Sequence, residues 1–390
     1  MPYHHDRSTE VFVFCPERRA GRHDSGRCPF HRATADTRRF VRSRADEPAV
    51  TDTSRQFVLG KRPDGKPDRD TFELEKGDVP EPRHGEVLVR TCYLSVDPYM
   101  RGRMRDRDSY ADPWDVGDRM GGHVVGEVVE SEHDAWSVGE FVFGEGFWSE
   151  HSLLDGDDLT PVDPSLQNLS LPAYLGVLGM PGRTAYFGTL DVLEPDPGDT
   201  VAISGAAGAV GSTVGQIASL AGARVVGFAG SDEKVDYLED DLGFDAGINY
   251  KTTENYRAAL ADAAPNGIDA YFDNVGGPIS DAVFSQLNVD ARVAICGQIA
   301  LYNDEGVPTG PRKLPQLIAP RARVEGFLVG DYATRFEHAN DRLREWVTNG
   351  DIEHRESIVE GFENAPDAFL GLFEGDNIGK QVVKVAEPSE

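Results

Sequence analysis

Between Gln56 and Leu153 apolar residues fall in short runs broken by proline and glycine. Gln56–Leu59 opens the series, Phe72–Glu75 follows, and Glu86–Tyr93 (EVLVRTCY) alternates as a half-buried strand does. His123–Val129, Phe141–Phe143 and Trp148–Leu153 continue it. Short strands with turn signals every ten residues or so predict a small, partly open β-barrel.

After Pro181 the rhythm becomes strand and helix in alternation. Thr200–Ser204 reads as a strand and Ala209–Ala221 as a helix with Val210, Val214, Ile217 and Ala221 on one face. Arg224–Phe228 is the next strand and Glu233–Leu242 the next helix. Asp269–Asp273 and Arg292–Cys296 are further strands, with a helix over Pro278–Leu287 between them. A helix at His338–Thr348 leads back to short strands that end with Lys380–Val385. Strand, helix, strand in succession implies right-handed crossovers, hence an α/β fold with a doubly wound parallel sheet. The barrel takes residues 50–180 and 350–390 and brackets an inserted α/β domain over 181–349. Val201–Gly230 holds a single charge, Arg224, and could pass for a membrane span by hydropathy. Its Gly, Ala and Ser content parses better as strand, turn, helix and strand, so no membrane role is expected.

Charge narrows the setting. The 67 acids outnumber the 39 bases, giving a formal charge of −28. Such a surface repels phosphate backbones and anionic membranes, which argues against nucleic-acid and membrane partners. Residues 1–49 depart from the rest, with ten Arg, no Lys and seven acids, and no period. They read as a disordered extension, or as the product of a start assigned too early. The remainder carries 60 acids against 29 bases, only eight of them lysine. An acidic, lysine-poor surface suits a high-salt cytoplasm, where self-repulsion is screened. Cys15, Cys28, Cys92 and Cys296 have no C-x-x-C spacing, which gives no disulfide framework and fits a reducing compartment. Residues 1–30 lack the apolar core of a signal peptide.

The strongest local motif is Gly205-Ala-Ala-Gly208-Ala-Val-Gly211, set between a strand and a helix. Gly205 permits the tight turn, Gly208 lets backbone approach a pyrophosphate, and Gly211 allows helix–strand packing. Free amides at the helix start then bind phosphates. A glycine-rich turn without ligand is the alternative. Sites that prefer NAD place a carboxylate about 20 residues past the glycines, to bond the ribose 2′-hydroxyl. Phe228, Ala229 and Gly230 stand there instead, followed by Ser231 and Lys234, which can offer a hydroxyl and a cation to a 2′-phosphate. NADPH is therefore the expected cofactor.

Larger motifs now make a family resemblance specific. Gly179-Met-Pro-Gly-Arg-Thr-Ala-Tyr-Phe-Gly188, Ser231-Asp-Glu-Lys234, Asn249-Tyr250, Phe272-Asp-Asn-Val-Gly-Gly277, Ile295-Cys-Gly-Gln298 with Tyr302-Asn303, Gly361-Phe-Glu-Asn364, Gly375-Asp-Asn-Ile-Gly-Lys380 and Ser95-Val-Asp-Pro-Tyr-Met-Arg101 together resemble the leukotriene and prostaglandin reductases of the medium-chain dehydrogenase superfamily. The resemblance spans residues 56–385. It implies a Rossmann sheet with a GroES-like barrel, NADPH as cofactor, and reduction of the double bond of enones or enals. It places Ala207, Gly208, Ala209 and Val210 at the pyrophosphate, and Lys234 with Tyr250 at the 2′-phosphate end. Asn274, Cys296, Gly297, Gln298, Tyr302, Phe327, Leu328, Val329 and Asn377 would surround the nicotinamide and its ribose. A homodimer joined through edge strands near Arg323–Val329 is also implied.

Zinc relatives in the superfamily use a thiolate and a G-H-E motif where this chain has Asp97 and Gly122-His123-Val124, so no metal is expected. Without a metal Lewis acid the favoured chemistry is hydride addition to a conjugated double bond, which needs only donors for an enolate oxygen. Tyr302 and Tyr332 are the candidate donors, and Tyr99 and Arg101 candidates for the substrate mouth. A quinone reductase of the same superfamily and a non-catalytic, crystallin-like NADPH binder are the competing readings.

Overall fold

β3 (Glu86–Ser95) organises the first lobe in the computed structural model, which describes residues 53–107, 109–164 and 169–389. The extension read over residues 1–49 lies outside the described residues. Two strands precede β3: β1 (Thr53–Leu59) and β2 (Phe72–Asp78), paired as an antiparallel ribbon. β4 (Gly121–Ser131), β5 (Phe141–Phe147), β6 (His151–Asp155) and β7 (Thr160–Val162) follow it. β4 occupies one edge of β3, while the other edge is shared: β6 pairs with Glu86–Arg90 and a later strand pairs with Tyr93–Ser95. One strand serving three neighbours curls the sheet into a partly open barrel.

The α/β lobe comprises β8 (Thr200–Ile203), β9 (Arg224–Ala229), β10 (Ala246–Asn249), β11 (Ile268–Asp273), β12 (Leu287–Ile295) and β13 (Arg323–Gly326). They form one parallel sheet in the order β10-β9-β8-β11-β12-β13. The chain returns through β14 (Glu356–Glu360) and β15 (Lys380–Lys384), and β15 is the strand that completes the edge of β3. The helices are α1 (Met100–Arg103), α2 (Met180–Phe187), α3 (Ala209–Leu220), α4 (Asp232–Asp236), α5 (Tyr256–Ala263), α6 (Gly277–Phe284), α7 (Phe336–Asn349) and α8 (Ala365–Gly371). All four residues of β8 are buried because helices cover both faces. Val201 and Ile203 pack with Val214 and Ile217 of α3 and Leu343 of α7. Ala202 faces the other way, toward Leu260 of α5 and Val283 of α6.

The weakly charged Val201–Gly230 segment thus divides into β8, α3 and β9, and no helix of the described residues is long and apolar enough to cross a membrane. Several expected boundaries move. The strand expected at Trp148–Leu153 starts at His151, because Trp148 turns its indole into the barrel. The helix expected over Pro278–Leu287 stops at Phe284, and Leu287 already opens β12. The helix expected over Glu233–Leu242 begins as α4 and widens into a π-turn over Tyr237–Asp241.

Trp148 is the centre of the barrel core. Its ring stacks on Phe72 at 5.7 Å and meets Phe57 and Phe369 edge-on at 6.2 and 5.9 Å. Phe369 belongs to α8, so this cluster also seats the C-terminal segment. Trp148→Ala should lower unfolding free energy by about 3–5 kcal/mol, measured by denaturant titration, because the surrounding rings cannot close so large a cavity.

Candidate active site

β8 and β11 lie side by side although β9 and β10 come between them in sequence, so the sheet reverses its winding direction there. Ligands of doubly wound sheets bind outside the carboxyl ends of strands at such a point. Asp273, the last residue of β11, is fully buried and collects six donors. Its Oδ1 accepts from Ser204 Oγ (2.9 Å), the Tyr271 hydroxyl (2.9 Å) and the amides of Val275 (3.1 Å) and Gly276 (2.8 Å). Oδ2 accepts from Ser280 Oγ (2.7 Å) and Gln298 Nε2 (2.9 Å). Ser204 precedes the glycine loop, and its carbonyl accepts from Asn274 Nδ2 at 2.8 Å. One carboxylate therefore ties together the loops that follow β8, β11 and β12.

The loop after β8 has the shape expected of a phosphate cradle. Gly205 has φ of +61°, and a Cβ on Gly211 would lie 2.4 Å from the Gly205 carbonyl oxygen, so neither position accepts a side chain without displacement. α3 starts at Ala209 with no side-chain cap, leaving its first amides free for an anion. Ala207, Gly208, Ala209 and Val210 line a cavity of about 730 Å³. The C-terminal segment closes onto this loop: the Gly379 amide donates to the Ala207 carbonyl at 2.7 Å, and Asn377, also in the lining, donates to Gly379 O at 2.7 Å.

At one end of the cavity lie Gly230, Lys234 and Tyr250. A Cβ on Gly230 would come within 2.7 Å of the Tyr250 hydroxyl, so the absence of a side chain there opens the floor. The half-buried Lys234 ammonium donates to the Gly375 carbonyl at 2.7 Å, and burial lowers its pKa. A cation that donates to a carbonyl, beside a phenol, fits a terminal phosphate. Ser231, expected at the cofactor, does not line the cavity; its hydroxyl caps α4 by accepting the Lys234 amide at 3.3 Å.

Toward the other end Asn274, Cys296, Gly297 and Tyr302 line the space with Phe327, Leu328, Val329 and Tyr99. The Tyr302 hydroxyl accepts from the Gln298 amide at 3.3 Å, and burial raises its pKa, so the phenol keeps its proton. Burial likewise pushes the Cys296 thiol up to about 12, which leaves it un-ionised. Three expected residues sit elsewhere. Gln298 turns its amide onto Asp273 rather than into the cavity. Arg101 is fully buried outside the lining, bonded to Asn303 Oδ1 (3.1 Å) and Gly65 O (2.6 Å). Tyr332 stacks flat on Phe187 at 4.5 Å, which holds its ring outside the lining. Tyr110 and Lys380 are among the lining residues that escaped the sequence reading. Tyr110 sits in the Arg103–Trp114 loop, which has no pattern, and the burial of Lys380 needs β15 and β3 to meet.

The positions compared with zinc ligands carry other contacts. Asp97 accepts from Ser95 Oγ and pairs with Lys380 Nζ at 3.1 Å, and that ammonium also donates to the carbonyls of Val96 (2.9 Å) and Gln381 (2.8 Å). The His123 ring stacks on Phe143 at 5.4 Å, and burial lowers its pKa. Among the described residues no group of three or more His, Cys, Asp or Glu could hold a metal ion.

Residues 55–162 match the family described as "N-terminal domain of oxidoreductase", and residues 209–345 the one described as "Zinc-binding dehydrogenase". The NADPH-dependent curcumin reductase of Escherichia coli is 45% identical over 338 residues, covering 85% of this chain and 97% of the relative. Prostaglandin reductase 1 of mouse is 45% identical over 337 residues, covering 85% of this chain and 99% of the relative. The chain belongs to the prostaglandin reductase family of medium-chain dehydrogenases. A solved member, CurA from Vibrio vulnificus in complex with NADPH, superposes with a TM-score of 0.81 at 44% identity, covering 86% of this chain and all of that one. The zinc in the second description belongs to the wider superfamily; in this member an ion pair and a stacked histidine fill the compared positions.

In this reductase Asp273→Asn should lower unfolding free energy by about 2–3 kcal/mol in guanidinium titration, because an amide presents N–H groups to buried donors. Asp273→Ala should cost more.

Proposed function

We propose that this chain reduces the carbon–carbon double bond of small enones and enals at the expense of NADPH. The observation that carries the reading is one cavity with the Lys234 ammonium at one end and protonated phenols at the other. Its similarity to curcumin and prostaglandin reductases supports the same chemistry.

When bound, NADPH supplies the hydride that adds to the β-carbon. The chain does the rest. Amides of Ala207–Val210 and the α3 terminus hold the pyrophosphate, while Lys234 and Tyr250 take the 2′-phosphate. Asn274 and Gly297, at the carboxyl ends of β11 and β12, position the reactive ring. Met180, Ile299, Leu372 and Phe373 exclude water along the apolar walls. The Tyr302 hydroxyl accepts from the Gln298 amide and keeps its own O–H for the oxygen on which negative charge develops. Tyr99, whose pKa burial also raises, stands as a second protonated phenol at the substrate side. With Asp97 committed to Lys380, the donors present do not form a zinc site, so the reading is zinc-independent.

Two features support the setting. β13 is an edge strand with Val324 exposed, and Leu314, Ile318 and Leu328 expose apolar side chains nearby, which suits edge-to-edge pairing into a homodimer. The acidic, lysine-poor composition suits a cytoplasm of high salt.

In an NADPH-oxidation assay, enones and enals should turn over faster than quinones, with no loss after dialysis against a chelator. Tyr302→Phe should lower kcat about tenfold to a thousandfold with little change in the KM for NADPH. Faster turnover of quinones would favour the quinone reductase, and no turnover of either class would favour a non-catalytic binder. Lys234→Ala should raise the KM for NADPH about tenfold to a hundredfold and leave that for NADH nearly unchanged. Equal weakening of both cofactors would mean that Lys234 supports the loop rather than reads the phosphate.

A further inference from the structure

Residues 50–390 contain only eight lysines among 60 acids, yet three of the eight converge on one turn. Lys234 Nζ donates to the Gly375 carbonyl at 2.7 Å, and Lys251 Nζ donates to the adjacent Glu374 carbonyl at 3.0 Å. Lys66, from the loop between β1 and β2, pairs with the Glu374 carboxylate. Lys251 directly follows Tyr250, whose phenol lines the cavity beside Lys234 and Gly375. We propose that Lys251 is a second cation for the nucleotide 2′-phosphate and, with Lys234, determines the preference for a phosphorylated cofactor. The proposal rests on the NADPH reading above and adds a residue to it.

Charge placement makes the argument. Adjacent carbonyls draw two ammonium groups onto the same stretch of backbone, and after burial Lys251 is the largest influence lowering the pKa of Lys234. Asp376 and Glu233 act on Lys234 in the opposite sense, and the Glu374 carboxylate pairs with Lys66 and more weakly feels Lys251. A carbonyl oxygen satisfies an ammonium hydrogen bond but does not neutralise its charge. Both lysines therefore keep charge available for an arriving dianion, which would relieve their mutual repulsion. On a surface this acidic, a local cluster of cations also draws a phosphate toward the cavity mouth. Lys251 is exposed and Lys234 half-buried, so the Lys251 contribution is the smaller and the more sensitive to salt.

The test is calorimetric titration of the full chain with adenosine 2′,5′-bisphosphate and with AMP, at low and high salt. Lys251→Gln keeps a donor for the Glu374 carbonyl and loses the charge, while Lys251→Arg keeps both. For the bisphosphate, Lys251→Gln should bind about threefold to fivefold more weakly than wild type at low salt, with a smaller gap at high salt. AMP affinity should not change, and Lys251→Arg should bind as wild type does. Unchanged bisphosphate affinity in Lys251→Gln, or equal weakening of both ligands, would overturn the proposal and leave Lys251 as a backbone staple. Failure of wild type itself to distinguish bisphosphate from AMP would instead remove the cofactor reading, a result that Lys234→Ala reports independently.

Discussion

A buried carboxylate with six donors governs the geometry of the site. Asp273 stands where β8 and β11 meet, and its oxygens gather groups from the end of β8, from the start of α6 and from the loop after β12. Burying a charge in this way is unfavourable unless every lone pair is used. The requirement therefore fixes the approach of Ser204, Ser280 and Gln298 together, since losing one leaves a partly satisfied charge. The glycine loop and the Asn274 loop then face the same space, and the cavity follows from that register.

The second constraint comes from the far end of the chain. β15 pairs with β3, and Lys380 at its start buries an ammonium against Asp97. The segment just before it lays Gly379 on Ala207, so residues 375–380 touch the barrel and the glycine loop at once. Gly379 has φ of +68°, and a Cβ there would lie 1.9 Å from the Arg355 carbonyl oxygen. This crossing allows Lys234 of the sheet lobe to rest its ammonium on Gly375. A cavity bounded by distant chain segments can close around a long ligand without a separate lid domain.

Charge is divided to match. The body of the chain is strongly acidic, while the ammonium groups of Lys66, Lys234 and Lys251 meet on the Glu374–Gly375 turn. Such a local reversal of sign within an acidic surface is the arrangement that attracts an anion. The phenols at the opposite end are kept protonated by burial, which suits donation to an oxygen that becomes negative.

Periodicity and glycine spacing determined the parallel sheet, α3 and the glycine loop before it, because those elements rest on local backbone demands and on two-sided burial. One edge of the cavity was also legible, since Phe228-Ala229-Gly230 and Lys234, which line it, lie in one continuous stretch. Tertiary structure decided what depended on distant partners. Tyr332 met Phe187 and left the cavity, Arg101 was sealed under Asn303, and Gln298 was claimed by Asp273. Tyr110 reached the cavity from a loop without pattern, and Lys380 lost its solvent when two strands 285 residues apart paired. A side chain's type fixes which bonds it can make; only the assembled fold determines which partner stands within reach.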